Sequence, residues 1–256
     1  SISFLQYPGI LLLCYFPDIE ESLWIGLFGD GLSMVNSLAF SFYMPGTIPE
    51  RNNIIYTNKI DDDYFLGTPS GFYLFDLENN KAKSFTDLKQ KTGNNEIASY
   101  CVDNENNVWI GTKGAGLYLR NKTGTLRQFY NSGNSGQDFI NDVKIDKKYI
   151  WLGTLDGVII LNKFTGDYIE GYNINNGLPY NNINQIYITS SGNAAIATKT
   201  DRMYLIDTEK GVKSGKAIMS GTTMNEISSI GQTNDGNIWS SSIGNGVFEL
   251  FGDSIR

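Results

Sequence analysis

Two glycine-rich stretches, Gly26-Leu27-Phe28-Gly29-Asp30-Gly31 and Gly111-Thr112-Lys113-Gly114-Ala115-Gly116, resemble loops that cradle a phosphate. That chemistry needs a strand that leads into a helix N-terminus, whose free N–H groups meet the anion. Here each stretch leads into another apolar run and recurs along the chain, so a tight turn between strands is the simpler reading. Asp103, Glu105 and Asn107 alternate like the opening of a calcium loop, and Asp61-Asp62-Asp63 is an acidic run. A calcium loop wants glycine at its sixth position and glutamate at its twelfth; Val108 and Gly114 stand there. Hairpin turns account for both segments, as they do for Asn234-Asp235-Gly236-Asn237. Hydrolysis of a glycosidic bond would need two carboxylates roughly 5 to 10 Å apart. Asp30 and Asp156 are candidates, although no acidic pair recurs at one place. The chain has no histidine, which removes the commonest metal ligand and general base. We assign no catalytic residue, no metal ligand and no cofactor.

These residues sit on a repeat. Trp109-Ile110-Gly111-Thr112 with Gly116-Leu117-Tyr118-Leu119 is its fullest copy. Trp24-Ile25-Gly26-Leu27 with Gly31-Leu32, Phe65-Leu66-Gly67-Thr68 with Gly71-Phe72, and Trp151-Leu152-Gly153-Thr154 with Gly157-Val158 are three more. Ala195-Ile196-Ala197-Thr198 with Met203-Tyr204 and Trp239-Ser240-Ser241-Ser242 with Gly246-Val247 are weaker. The central position falls at 26, 67, 111, 153, 197 and 241, a step of 41 to 44 residues. That period is the length of a four-stranded propeller blade.

The third repeat shows the expected blade: strands over 97–102, 108–112, 117–120 and 126–130, joined by turns rich in Asn, Asp and Gly. No stretch carries a helical period, so the chain reads as an all-β propeller of four-stranded antiparallel blades. It forms one domain over 1–256, with blades at about 8–47, 48–90, 91–135, 136–178, 179–222, and 223–256 plus 1–7. Six separate blades are predicted, with the N-terminal segment Ile2-Ser3-Phe4-Leu5-Gln6-Tyr7 supplying the outer strand of the last.

An apolar fraction of 41% suits a substantial core. A net charge of -7 without a basic cluster argues against a nucleic-acid partner. Ile10-Leu11-Leu12-Leu13-Cys14-Tyr15-Phe16 is too short to span a bilayer and occupies a strand slot. No signal peptide is visible, and the chain reads as a mature or excised soluble piece. Cys14 and Cys101 fall at different offsets in their repeats and read as buried free thiols.

Trp-Ile-Gly-Thr followed shortly by Gly-Leu resembles the two-component regulator propeller repeat, across nearly the whole chain. The fifth repeat departs from it, with Ala195, Ala197 and Arg202 at the Trp and Gly positions. The resemblance implies the extracytoplasmic, periplasmic sensor part of a bacterial hybrid two-component histidine kinase. It implies an oligosaccharide ligand, and as partners a neighbouring propeller or β-sandwich domain and a homodimer formed through the full receptor. Family propellers usually have seven blades, so six repeats leave open an incomplete or atypical seven-bladed ring.

Equivalence across repeats places Trp24, Trp109, Trp151 and Trp239 between neighbouring sheets, although a Trp face can also stack on sugar. Residues the repeat does not require are the better binding candidates. In a propeller the loop between strands two and three shares a face with the loop into the next blade. This places Phe28, Asp30, Lys113, Asp156 and Lys199 on one rim with Tyr130, Asn131, Asn134, Gln137, Asn176 and Tyr180. Rings that stack on sugar faces, beside amides and carboxylates that bond hydroxyls, suit carbohydrate. A solvated loop would also carry such residues. The alternatives to a sensor are a scaffold for domain or protein contacts and, less favoured, a glycan-cleaving enzyme.

Overall fold

Short β-rich runs closed by Asn, Asp and Gly turns build strands throughout. The computed structural model describes residues 11–17, 23–28, 31–36, 39–43, 54–60, 62–69, 71–79, 81–85, 91–93, 96–200, 202–207, 216–220, 226–242, 245–251 and 254–255. Side chains are described from residue 54 onward, except in 216–220, 251 and 254–255. The N-terminal segment 2–7 and Asp30 lie outside the described residues, as do the side chains of Cys14, Trp24 and Phe28. Two compact units, Ser1–Ile97 and Ala98–Arg256, are treated separately.

The first unit holds two four-stranded antiparallel sheets. One comprises β1 (Leu11–Pro17), β2 (Leu23–Phe28), β3 (Gly31–Asn36) and β4 (Ala39–Tyr43). The other comprises β5 (Tyr56–Ile60), β6 (Asp63–Thr68), β7 (Gly71–Asp76) and β8 (Lys81–Phe85). Ile54, Tyr64, Leu66, Tyr73 and Phe75 form the buried cluster on one face of the second sheet. Phe65 and Phe72 meet on the other at 4.9 Å between ring centroids, and Phe72 stacks on Phe85 at 5.0 Å.

In the second unit, β9 (Ile97–Val102), β10 (Val108–Thr112), β11 (Leu117–Arg120) and β12 (Leu126–Tyr130) are the predicted strands of the third repeat. The fourth repeat forms β13 (Ile140–Ile145), β14 (Tyr149–Thr154), β15 (Gly157–Asn162) and β16 (Tyr168–Tyr172). The fifth forms β17 (Ile183–Ile188), β18 (Asn193–Thr198), β19 (Arg202–Asp207) and β20 (Lys216–Ser220). The sixth forms β21 (Ile227–Gln232), β22 (Ile238–Ser242), β23 (Gly246–Phe251) and β24 (Ser254–Ile255).

The prediction of six separate blades needs correction. The six repeats fold into five sheets, because the fifth and sixth share one sheet of eight strands. The short β24 runs antiparallel to β23 and parallel to β20, and so joins two edges whose backbone groups would otherwise lack partners.

Trp109 packs with Ile140 and Val143 of the following sheet, and Trp151 with Ile183 and Ile186. Both indoles are 2% exposed. Trp239 corrects the expectation for the sixth repeat: it is 36% exposed, and among the described residues of this unit no further sheet packs over it. Ala195 and Ala197 are fully buried with Met203 against Ile227 and Ile230, so the departures of the fifth repeat accommodate the next strand. Cys101 is a free thiol whose burial pushes its pKa up to about 11.

Polar clamps one repeat apart link the inner strands. Asn141 donates to the Ile183 carbonyl at 2.7 Å, and Asn184 to the Ile227 carbonyl at 2.6 Å. The Asp142 carboxylate accepts from the Ile186 N–H at 2.8 Å, and Gln185 accepts likewise from Ile230. Burial raises the Asp142 carboxyl above its ordinary pKa, against the pull of Lys144 and the bonded amides. Ser99, the counterpart of Asp142 beside β10, leaves its buried hydroxyl without a partner.

Candidate functional site in the fourth repeat

The motif threonine shapes the turn between the second and third strands. Thr154 Oγ1 donates to the Gly157 carbonyl at 2.8 Å and accepts from the Asp156 N–H at 3.0 Å. Thr112 does the same around Gly116 and Ala115, at 2.8 and 2.9 Å. Gly157 has a φ of 108°, and a Cβ there would collide with the Tyr172 carbonyl oxygen. The geometry therefore demands glycine at 157 and leaves 155 and 156 free to vary.

Two loops meet this turn. The first, 131–139, is organised around the buried Asp138 carboxylate, which accepts from Ser132 N, Ser132 Oγ and Gly133 N at 2.7, 2.9 and 3.0 Å. A single helical turn, Ser135–Asp138, follows, capped by Asn134. The carbonyls of Gly136 and Phe139 then accept from the Leu155 N–H at 3.1 and 3.3 Å. The second loop, 173–182, folds into a 3-10 turn over Ile174–Asn176. Asn176 closes it by accepting from Asn173 N at 2.6 Å and donating to the Gly171 carbonyl at 2.8 Å. Leu178 is buried beneath, and Asn181 accepts from Ile174 N at 2.8 Å. Neither one-turn helix showed as a sequence period, because each is a loop cap shorter than any periodic window.

Asp156 stands where these segments converge. Its carboxylate accepts from Gln137 Nε2 at 3.4 Å and from Asn181 Nδ2 at 3.3 Å, both longer than an ordinary hydrogen bond. Two open clefts flank the turn. One, of about 320 Å³, lies between Leu155, Ile174, Tyr180, Asn181 and Asn182. The other, of about 190 Å³, is lined by Asp156, Gln137, Tyr168, Asn173 and Asn176 among others. Ile174 and Tyr180 are 55% and 45% exposed, so their apolar surfaces are open to a ligand.

Of the residues singled out from sequence, Asp156, Asn176, Tyr180 and Gln137 come together here. Lys199 joins through its backbone, its N–H donating to the Asn182 carbonyl at 2.9 Å, while its side chain lies outside both clefts. Asn131 caps its own loop by accepting from Gly133 N at 3.1 Å, and Tyr130 is half-buried with its hydroxyl pKa raised by that burial. Lys113 is exposed on the neighbouring turn, bridged by its backbone to Phe139. Phe28 ends β2 in the other unit. The calcium-like Asp103 serves its own turn, accepting from Glu105 N, Asn107 N and Trp109 Nε1 at 2.9, 3.0 and 3.0 Å.

Leu155, Tyr168, Ile174, Asn181 and Asn182 were not singled out from sequence. A signal for most of them was present, since 173–184 carries six asparagines in twelve residues. Tyr168 gave none, because it occupies an ordinary outer-strand position.

Residues 92–114 match the family described as the two-component regulator propeller, so the chain carries that repeat. Its fold is that of a β-propeller. It is similar to the extracellular domain of a protein named as a hybrid two component system, BT3049 of B. thetaiotaomicron. That match has a TM-score of 0.79 at 23% identity, over 94% of this chain and 34% of the other. The extracellular domain of BT4673 from the same organism matches with a TM-score of 0.65 at 19% identity, over 95% and 38%. PorZ of Porphyromonas gingivalis, a surface component of the type-IX secretion system, matches at 0.72 with 15% identity, over 99% and 42%. The chain thus spans well under half the length of these proteins. No curated protein matches it.

Proposed function

We propose that this chain, a bearer of two-component regulator propeller repeats, is the ligand-sensing part of the extracytoplasmic, periplasmic region of a hybrid two-component receptor, and that its ligand is an oligosaccharide. Its role is recognition rather than catalysis. The observation that carries the reading is the convergence of Asp156, Asn176, Tyr180 and Gln137 at a paired cleft that the repeat does not require. Rings beside amides and a carboxylate match the alternating apolar and hydroxylated faces of sugars. The fold likeness to extracellular domains of hybrid two-component systems supports the setting. A signal would then arise when ligand biases two arrangements of a larger receptor, including its neighbouring domains.

A thermal-shift screen against oligosaccharides tests this. Ligand at a hundredfold excess over Kd adds about 2.7 kcal/mol, which raises the Tm by several degrees for a chain of this size. No shift with any sugar would overturn the reading. It would favour a scaffold for domain or protein contacts, to which one observation points. Trp239 and Val247 lie on one face of the β22–β23 ladder and are 36% and 67% exposed.

A further inference from the structure

The clefts beside the 154–157 turn, of about 320 and 190 Å³, lie at or below the low end of ordinary ligand pockets. They are neighbours: Leu155 lines one and Asp156 the other, and Ile174 and Asn176 divide in the same way. Asn181 lines the first while its amide donates to the carboxylate that lines the second. Their chemistry differs. The first offers apolar surface from Leu155, Ile174 and Tyr180, and the second a carboxylate with amides around it.

The unfilled hydrogen-bonding capacity at these clefts is mixed. Among the described residues the side-chain nitrogens of Asn173 and Asn182 and the side-chain oxygen of Gln137 have no partner within the chain. Asp156 holds two weak amide contacts on a group with about four acceptor positions. No Lys or Arg lines either cleft, and Asp156 has no ion-pair partner among the described residues. An anionic sugar would therefore meet an uncompensated carboxylate on a chain of net charge -7. A hydroxyl both donates and accepts, as this donor and acceptor set requires, whereas an ammonium group only donates.

We infer that the site takes an uncharged glycan at least two sugar units long, one ring on the Leu155–Ile174–Tyr180 surface and the next bonded by Asp156. This inference rests on the glycan-sensing reading above and adds to it the two subsites and the ligand's lack of charge. It makes Asp156 the residue that sets selectivity and Tyr180 the platform of the neighbouring subsite.

The test is isothermal titration calorimetry of the chain with xylotriose, cellotriose and mannotriose, the matching monosaccharides, and trigalacturonate. One neutral trisaccharide is expected to bind at least tenfold more tightly than both its monosaccharide and trigalacturonate. Asp156→Asn should weaken that binding by about tenfold to a hundredfold, as loss of a charged hydrogen-bond partner does, and narrow the preference against trigalacturonate. Tyr180→Ala should weaken the trisaccharide more than the monosaccharide. An unchanged Tm in both variants separates these losses from unfolding. Binding of trigalacturonate as tight as that of any neutral sugar overturns the inference and leaves the glycan reading standing. So does a monosaccharide that matches its trisaccharide. Binding of no sugar of any kind overturns both.

Discussion

Asp146 and Asp156 stand at opposite ends of the same strand, β14, and the fold treats them differently. Asp146 accepts from Lys148 N and Tyr149 N at 2.7 Å each and from Trp151 Nε1 at 2.9 Å. It closes the hairpin and satisfies the indole that packs against the next sheet. Asp156 receives only two amides, at 3.3 and 3.4 Å, from loops that other bonds already hold in place. The same side chain is a structural part at one end of the strand and an available acceptor at the other. The third repeat repeats the first pattern, with Asp103 beneath Trp109, but carries Lys113-Gly114-Ala115 between its motif threonine and turn glycine where the fourth has Leu155-Asp156. The comparison teaches that function in such a chain should be sought where one repeat differs from its neighbours.

The largest expected effect lies at the structural end. Trp151→Ala removes an indole that is 2% exposed and should cost about 3–5 kcal/mol of stability, read by denaturant melts. Gly153→Ala comes next. A Cβ there would stand 2.7 Å from Ile183 Cγ2, so overpacking should cost about 1–3 kcal/mol. Asp103 sharpens the comparison through pH. Burial pushes its carboxyl up, but hydrogen bonds from Trp109, Asn107 and Glu105 outweigh that and hold it below its ordinary value of 3.8. A carboxyl lowered in the folded state contributes stability above its unfolded pKa, and that stability is lost as pH falls through the folded one. Asp103→Asn should therefore lose stability near neutral pH and flatten the decline below about pH 4, measured as Tm against pH. The smallest effect belongs to the other end of the fourth repeat's strand. Asp156→Ala should move stability by no more than about 0.5 kcal/mol, and a loss near that of Trp151→Ala would break the comparison.

The strands of the third repeat were readable to the residue, because Asn, Asp and Gly turns bound each one. The merging of two sheets through β24 was not, since two residues at Ser254–Ile255 carry no periodic signal. Trp239 shares its motif position with Trp151, yet its exposure depends on which sheet lies beyond it, and a motif does not record that. The candidate site was legible in part. Asp156, Asn176 and Tyr180 stood out as residues the repeat does not require. That Asn131 and Asn176 would direct their amides into their own loops depends on loop geometry set by Asp138 and Gly171.

The central claim is that recognition belongs to the loops around Asp156 and stability to the strands beneath them. Amide chemical-shift mapping of the isotope-labelled chain, titrated with the neutral trisaccharide that binds it, tests this most directly. The account predicts perturbations confined to 131–139, 154–157, 168–182 and the residues beside Lys199. Perturbations centred on β22 and β23 around Trp239, or on the turn at Asp103, would contradict it.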